Sequence, residues 1–257
     1  MNSWLERIGA AVLTPITALG GLALLGLRAL GSAPHLERRE LVRTIARFGL
    51  GSLGLTAVVA LGTGAVIVIE TSSYTVRFGA RDILGGMAGI SILREFGPLM
   101  MALVMAGWVG AANAAEVGNL NLGGQLGSLR GVGVDPFAAV LAPRLYGTWV
   151  AMITLALCAD LCAVLGGAFA AKVALGIEVD AFLRSFRQWL HMRDLVEGLI
   201  KTSAFAFAIA LLSTRAGLRT RGGARAVGER VADSVVHAVV SVLVLDFLVT
   251  ALIGGRL

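Results

Sequence analysis

Five charged residues stand in otherwise apolar surroundings: the adjacent pair Arg94 and Glu95, then Asp160, Lys201 and Asp246. A charge left facing lipid near the bilayer centre costs at least about 2.5 kcal/mol. These side chains should therefore face a cavity or one another. By sign and adjacency, Arg94 and Lys201 can pair with Glu95, Asp160 or Asp246. Such pairs would either hold helices in register or line a polar cavity for an amphiphilic or charged substrate. The unlike neighbours Arg94 and Glu95 favour the cavity, while Asp160 and Asp246 could serve either role. Asp160 and Asp246 could also act as relays in an ion-coupled transporter. Glu197 and Asp233, near helix ends, read as solvated.

Catalytic signatures are lacking. No Gly-rich loop ends in GK followed by Ser or Thr, so this chain does not cradle nucleotide phosphates in the P-loop manner. No HExxH or GxSxG run appears either. His35, His191 and His237 are scattered. Cys158 and Cys162 lie one helical turn apart inside an apolar run, and two thiols alone do not complete a zinc site. No metal or cofactor is expected on this chain, and it is not expected to be an enzyme.

The elements that must position these residues are membrane helices. The 257 residues are 57% hydrophobic and 15% charged, where a soluble domain is about half apolar and a quarter charged. Mean hydropathy is +0.84. Apolar runs over residues 48–69, 83–115, 137–171, 195–212 and 231–253 approach or exceed the roughly 20 residues that cross a bilayer. A further run, 8–27, is interrupted by Pro15 and by Gly20 and Gly21; it either spans or reclines at the interface, with Trp4 and Arg7 at its polar edge. The start, MNSWLERIGAAVL, lacks a basic n-region and a cleavage site, so no signal peptide is expected. The expected fold is an all-α polytopic membrane protein in one domain over 1–257, with an N-terminal helix and basic linker (1–47) before a five-span core (48–257).

The net charge of +6 would suggest nucleic acid in a soluble chain. Here the basic residues act as topology signals, and no nucleic-acid partner is expected. The loop carrying Arg215, Arg219, Arg221, Arg225 and Arg230 is assigned to the cytoplasm. Counting back puts 118–136 and the arginine-rich 28–47 on the same side, with 70–82 and 172–194 outside. The N-terminus is then cytoplasmic and the C-terminus external. No internal repeat is evident, which weighs against a transporter built from inverted repeats.

Two further patterns lie in one stretch. Ala102, Ala106, Gly110 and Ala114 recur every four residues, forming a small-residue face for packing within the chain or against a second copy. The following segment is rich in glycine, yet Leu120, Leu122, Leu126 and Leu129 give it an apolar side. It reads as a docking element for a soluble partner or as an ordinary interfacial loop. A scaffold that only assembles other proteins through the small-residue face is a third functional alternative.

SILREFGPLMMALVMAGWVGAANAAEVG (91–118), VGVDPFAAVLAPR (132–144) and VVHAVVSVLVLDFLVTAL (235–252) resemble the MlaE/YrbE-type permeases of lipid-transporting ABC systems. FGA at 78–80 and LGG at 165–167 also fit. The resemblance runs from about residue 48 to the end. It implies an N-terminal helix reclining in the membrane, five spans and a cytoplasmic coupling helix, here over 116–129. It also implies a homodimeric permease in a bacterial inner membrane, moving phospholipids between inner and outer membranes. The implied partners are an ABC ATPase carrying ATP and Mg, a periplasmic MCE-domain protein and often a STAS-domain subunit. Under this reading Arg94, Glu95 and Lys201, with Asp160 and Asp246, lie at the lipid cavity, and Glu70 and Tyr74 form its mouth. Glu116, Gly118, Gln125, Leu126, Leu129, Arg130 and Asp135 would couple to the ATPase. Two positions depart from the family pattern: Trp108 stands where Arg is usual, and Gly124 precedes Gln125 where an acidic residue is usual. Transport direction and the exact lipid are not encoded in any single residue.

Overall fold

The computed structural model describes residues 20–29, 31, 32, 37–79 and 81–254. Among them all regular structure is helical. The helices are α1 (Gly20–Ala29), α2 (Arg38–Leu50), α3 (Leu53–Arg77), α4 (Leu84–Leu122), α5 (Gln125–Gly131), α6 (Phe137–Leu175), α7 (Val179–Trp189), α8 (Met192–Leu218) and α9 (Ala224–Gly254). Five of them, α3, α4, α6, α8 and α9, are long and apolar enough to cross a membrane. This is an all-α polytopic membrane protein with the expected number of spans. The expected N-terminal run 8–27 lies mostly outside the described residues. Its visible part, α1, packs Ala29 with Leu145, Ala210 and Leu211, from α6 and α8.

Proline shapes two of the spans. Pro98 and Pro143 lack the N–H that continues an α-helical ladder. Just before each, the helix widens into a π turn, over Ile92–Phe96 in α4 and Phe137–Leu141 in α6. Gly97 N–H bonds the Ile92 carbonyl and Ala142 N–H bonds the Phe137 carbonyl, both five residues back. A second π turn in α4, Ala106–Gly110, has no proline. Each π turn inserts a residue and rotates the remainder of its helix, a feature frequent at functional sites.

The bundle is tight where glycine permits. A Cβ on Gly64 would meet the Ala163 carbonyl and one on Gly166 the Leu61 carbonyl, so α3 lies directly against α6. α7 lies over the first turns of α4, with Phe182 in the core. α8 is held between α4, α6 and α9. By contrast α9 turns Val236, Val240, Leu243, Val244, Phe247 and Leu252 outward. In a membrane protein that face meets lipid or another subunit.

The expected third span, 83–115, continues to Leu122 because nothing breaks the helix before Gly123 and Gly124. Glu116 and Gly118, expected in a cytoplasmic segment, instead lie in the last turns of α4. The expected single coupling helix over 116–129 is divided. Gly124 takes a left-handed backbone, φ +69°, between α4 and α5. That conformation costs a residue with a Cβ about 1–2 kcal/mol, which explains glycine where the family pattern has an acid.

Candidate functional site

The first π turn of α4 carries Arg94 and Glu95. On α8, Asp194, Glu197 and Lys201 follow a spacing of three and four, one helix face. The two faces touch because position 198 is glycine: a Cβ there would lie 2.1 Å from the Leu93 carbonyl oxygen. Arg94 Nε donates to Asp194 Oδ1 at 2.5 Å and stands 3.6 Å from Glu197 Oε2. Lys201 Nζ donates to Glu95 Oε2 at 2.5 Å and stands 3.2 Å from Asp246 Oδ1 on α9. The adjacent unlike charges thus do not pair with each other. Each reaches a partner of opposite sign on α8.

Burial decides what this arrangement can do. The Lys201 and Asp194 side chains are almost wholly enclosed, and Glu197 is nearly so. Glu95 is 40% exposed and Arg94 28%, so these two form the open side of the cluster. Taking an ion out of water costs several kcal/mol unless a partner and hydrogen bonds offset it. The enclosed ions meet that condition: Lys201 faces two carboxylates, and Asp194 also accepts the His191 N–H at 2.7 Å, capping α8. The expected partners of Arg94 were Glu95, Asp160 and Asp246; the structure supplies Asp194 and Glu197. Glu197, read from sequence as solvated, is buried because α8 begins at Met192 rather than 195. The signal that could have found it is the 194–197–201 spacing opposite Gly198.

A second cluster lies at the other end of α4. Glu116 Oε2 accepts a hydrogen bond from Arg144 at 2.5 Å, its Oε1 forms an ion pair with Arg47 at 2.5 Å, and Arg144 also reaches Glu40 at 3.2 Å. It ties α2, α4 and α6 together. Beside it, the Asn121 side-chain amide donates to the Leu218 and Thr220 carbonyls, joining the end of α4 to the basic α8–α9 connection. Gly118 is buried, its Cα facing Thr220. Of the expected coupling residues, Glu116 and Gly118 are therefore internal. Leu126 is buried, Leu129 is partly covered, and Gln125, Arg130 and Asp135 are exposed. Asp135 Oδ1 accepts the Phe137 N–H at 3.0 Å and so starts α6.

The remaining candidates separate. Asp160 is not part of the α4–α8–α9 cluster; its Oδ1 lies 2.6 Å from where a Cβ on Gly97 would stand, and it has no ion pair among the described residues. Asp160 and Asp246 are thus held in different surroundings. Glu70 and Tyr74 are exposed on the last turns of α3 and are not bonded to the cluster. Ala102, Ala106, Gly110 and Ala114 are all buried inside this chain, Gly110 against Ile209. That decides the small-residue face in favour of internal packing. Trp108 is exposed on the outer side of α4.

With the bundle and its buried acid–base cluster defined, comparison with known proteins places the chain. The family model for Permease MlaE matches residues 41–252. The chain belongs to the MlaE permease family. It is 30% identical over 219 residues to a probable ABC transporter permease protein of Rickettsia prowazekii, covering 85% of each chain. A counterpart in Rickettsia typhi is 29% identical over 238 residues, 92% of each. The intermembrane phospholipid transport system permease protein MlaE of Haemophilus influenzae is 28% identical over 258 residues, 98% of each. The matched region starts within α2 and ends in α9, so it includes every residue of both charge clusters except Glu40.

Proposed function

We propose that this MlaE-family chain is the permease subunit of an ABC transporter that moves phospholipids between the inner and outer membranes of a bacterium. The observation that carries the reading is the cluster on the π turn of α4, open to one side through Arg94 and Glu95 within an apolar bundle. Acyl chains need apolar walls, and a headgroup needs fixed charges at the same depth. The name of the Haemophilus relative supports phospholipid as the cargo.

In this reading the single permease domain acts as a homodimer in the inner membrane, with its N-terminus cytoplasmic and C-terminus periplasmic. The chain holds no cofactor, and ATP and Mg belong to a partner ATPase. That ATPase docks on the exposed residues Gln125, Arg130 and Asp135 of the α5 region, with Leu126 and Leu129 fixing the helix beneath. A periplasmic MCE-domain protein receives or delivers lipid on the outer side, and a STAS-domain subunit binds the ATPase. The α2–α4–α6 joint at Glu116 passes motion at α5 to α4, and so to Arg94 and Glu95 on the same helix.

The test is co-expression with neighbouring reading frames, pull-down, and extraction of lipid from the purified complex. Recovery of a P-loop ATPase, an MCE-domain protein and bound phospholipid is the expected result. Purification without an ATPase, or without phospholipid, would remove the reading.

A further inference from the structure

The charges of the Arg94 cluster do not balance. Two cations, Arg94 and Lys201, serve four carboxylates, Asp194, Glu197, Glu95 and Asp246. Arg94 is committed to Asp194 at 2.5 Å, which leaves Glu197 with only a 3.6 Å approach. Glu197 Oε2 is buried and accepts no hydrogen bond. An enclosed carboxylate oxygen in that condition calls for a donor, and for positive charge. The cations that a lipid phosphate would need are already taken.

Glu197 also lines an open cleft of about 270 Å3, with Arg193, Val196 and Ile200 from the start of α8 and Leu252 and Ile253 from the end of α9. Arg193 is exposed and has no carboxylate within ion-pairing distance among the described residues. It sits in the first turn of α8, where the helix dipole disfavours a cation and favours an anion. The cleft therefore presents one unused guanidinium at its rim, one under-bonded carboxylate deeper in, and aliphatic walls between.

We propose that this cleft holds the headgroup of a phospholipid bearing a primary ammonium, with the phosphate on Arg193 and the ammonium on Glu197. The inference rests on the phospholipid reading above and narrows it to the aminophospholipid class. An ethanolamine-type ammonium donates hydrogen bonds and carries the missing positive charge. A quaternary choline has the charge but no donor. A glycerol headgroup has donors but leaves the lipid anionic beside an acidic surplus. The cleft lies one to two turns from Lys201 along α8 and from Asp246 along α9, so a headgroup there stands next to the cluster.

The experiment uses the purified full chain in detergent. Native mass spectrometry would follow binding of dioleoyl phosphatidylethanolamine, dioleoyl phosphatidylglycerol and dioleoylglycerol. Wild type should prefer the ethanolamine lipid to the glycerol lipid by about tenfold, the worth of one charge-assisted hydrogen bond. Glu197→Gln should remove that preference and leave phosphatidylglycerol binding unchanged. Arg193→Gln, an exposed change that does not threaten folding, should weaken both phospholipids and leave dioleoylglycerol unchanged. Phospholipid binding with no headgroup preference in wild type, or a preference that survives Glu197→Gln, overturns this inference alone. Absence of any phospholipid binding overturns it together with the transport reading.

Discussion

The two charge clusters both set basic against acidic side chains along one helix, α4, yet their balance differs. At the Glu116 end, two arginines meet two glutamates and the joint is electrically closed. At the Arg94 end, two cations meet four carboxylates and one face is open. A closed set of ion pairs fixes the relative position of the elements that carry it. An open set with surplus charge is incomplete until something binds. The difference separates a mechanical joint from a binding site without any appeal to depth in the membrane.

Four substitutions test that distinction. Lys201→Met should have the largest effect. It removes an enclosed cation and leaves Glu95 and Asp246 facing each other, costing about 3–5 kcal/mol of stability. Unfolding of the detergent-solubilised chain would measure it; wild-type stability would refute the assignment of Lys201 as the centre of the open cluster. Glu116→Gln comes next. It removes the charge that Arg47 and Arg144 share, and the same assay should record a loss of about 2 kcal/mol.

Gly124→Ala should cost about 1 kcal/mol, because alanine must adopt the left-handed backbone between α4 and α5. Its main consequence is expected elsewhere: ATPase activity of the assembled complex should lose its stimulation by lipid. Unaltered stimulation would mean that the α4–α5 turn does not carry coupling. The smallest stability change belongs to Glu197→Gln, within about 0.5 kcal/mol, since Arg94 keeps its 2.5 Å contact with Asp194. If this change destabilises as much as Glu116→Gln, the contrast between the clusters is wrong.

Much of the fold was legible in sequence because lipid imposes a length rule. An apolar run must reach about 20 residues to span, and all five such runs after residue 47 became spans. Their ends were less legible. The helix of span 83–115 continues to Leu122, past Glu116, which faces two arginines from other helices. In isolation a glutamate marks the end of an apolar run; bonded to Arg47 and Arg144 it can stay inside one. The same logic hid Glu197, which reads as a solvated residue near a helix start. Gly198 brings it against Leu93 and Arg94 instead.

Composition and run length alone determined that the chain is an all-α membrane protein, with five spans after residue 47 and run 8–27 left open. The order of its motifs pointed to the MlaE permease family. Pairing was beyond the reach of that information. Arg94 and Glu95 are neighbours of opposite sign, and nothing local forbids them from bonding to each other. The π turn and the close approach of Gly198 aim Arg94 at Asp194 and Glu95 at Lys201. Electrostatic partners depend on which faces touch, and that is a property of packing between segments a hundred residues apart.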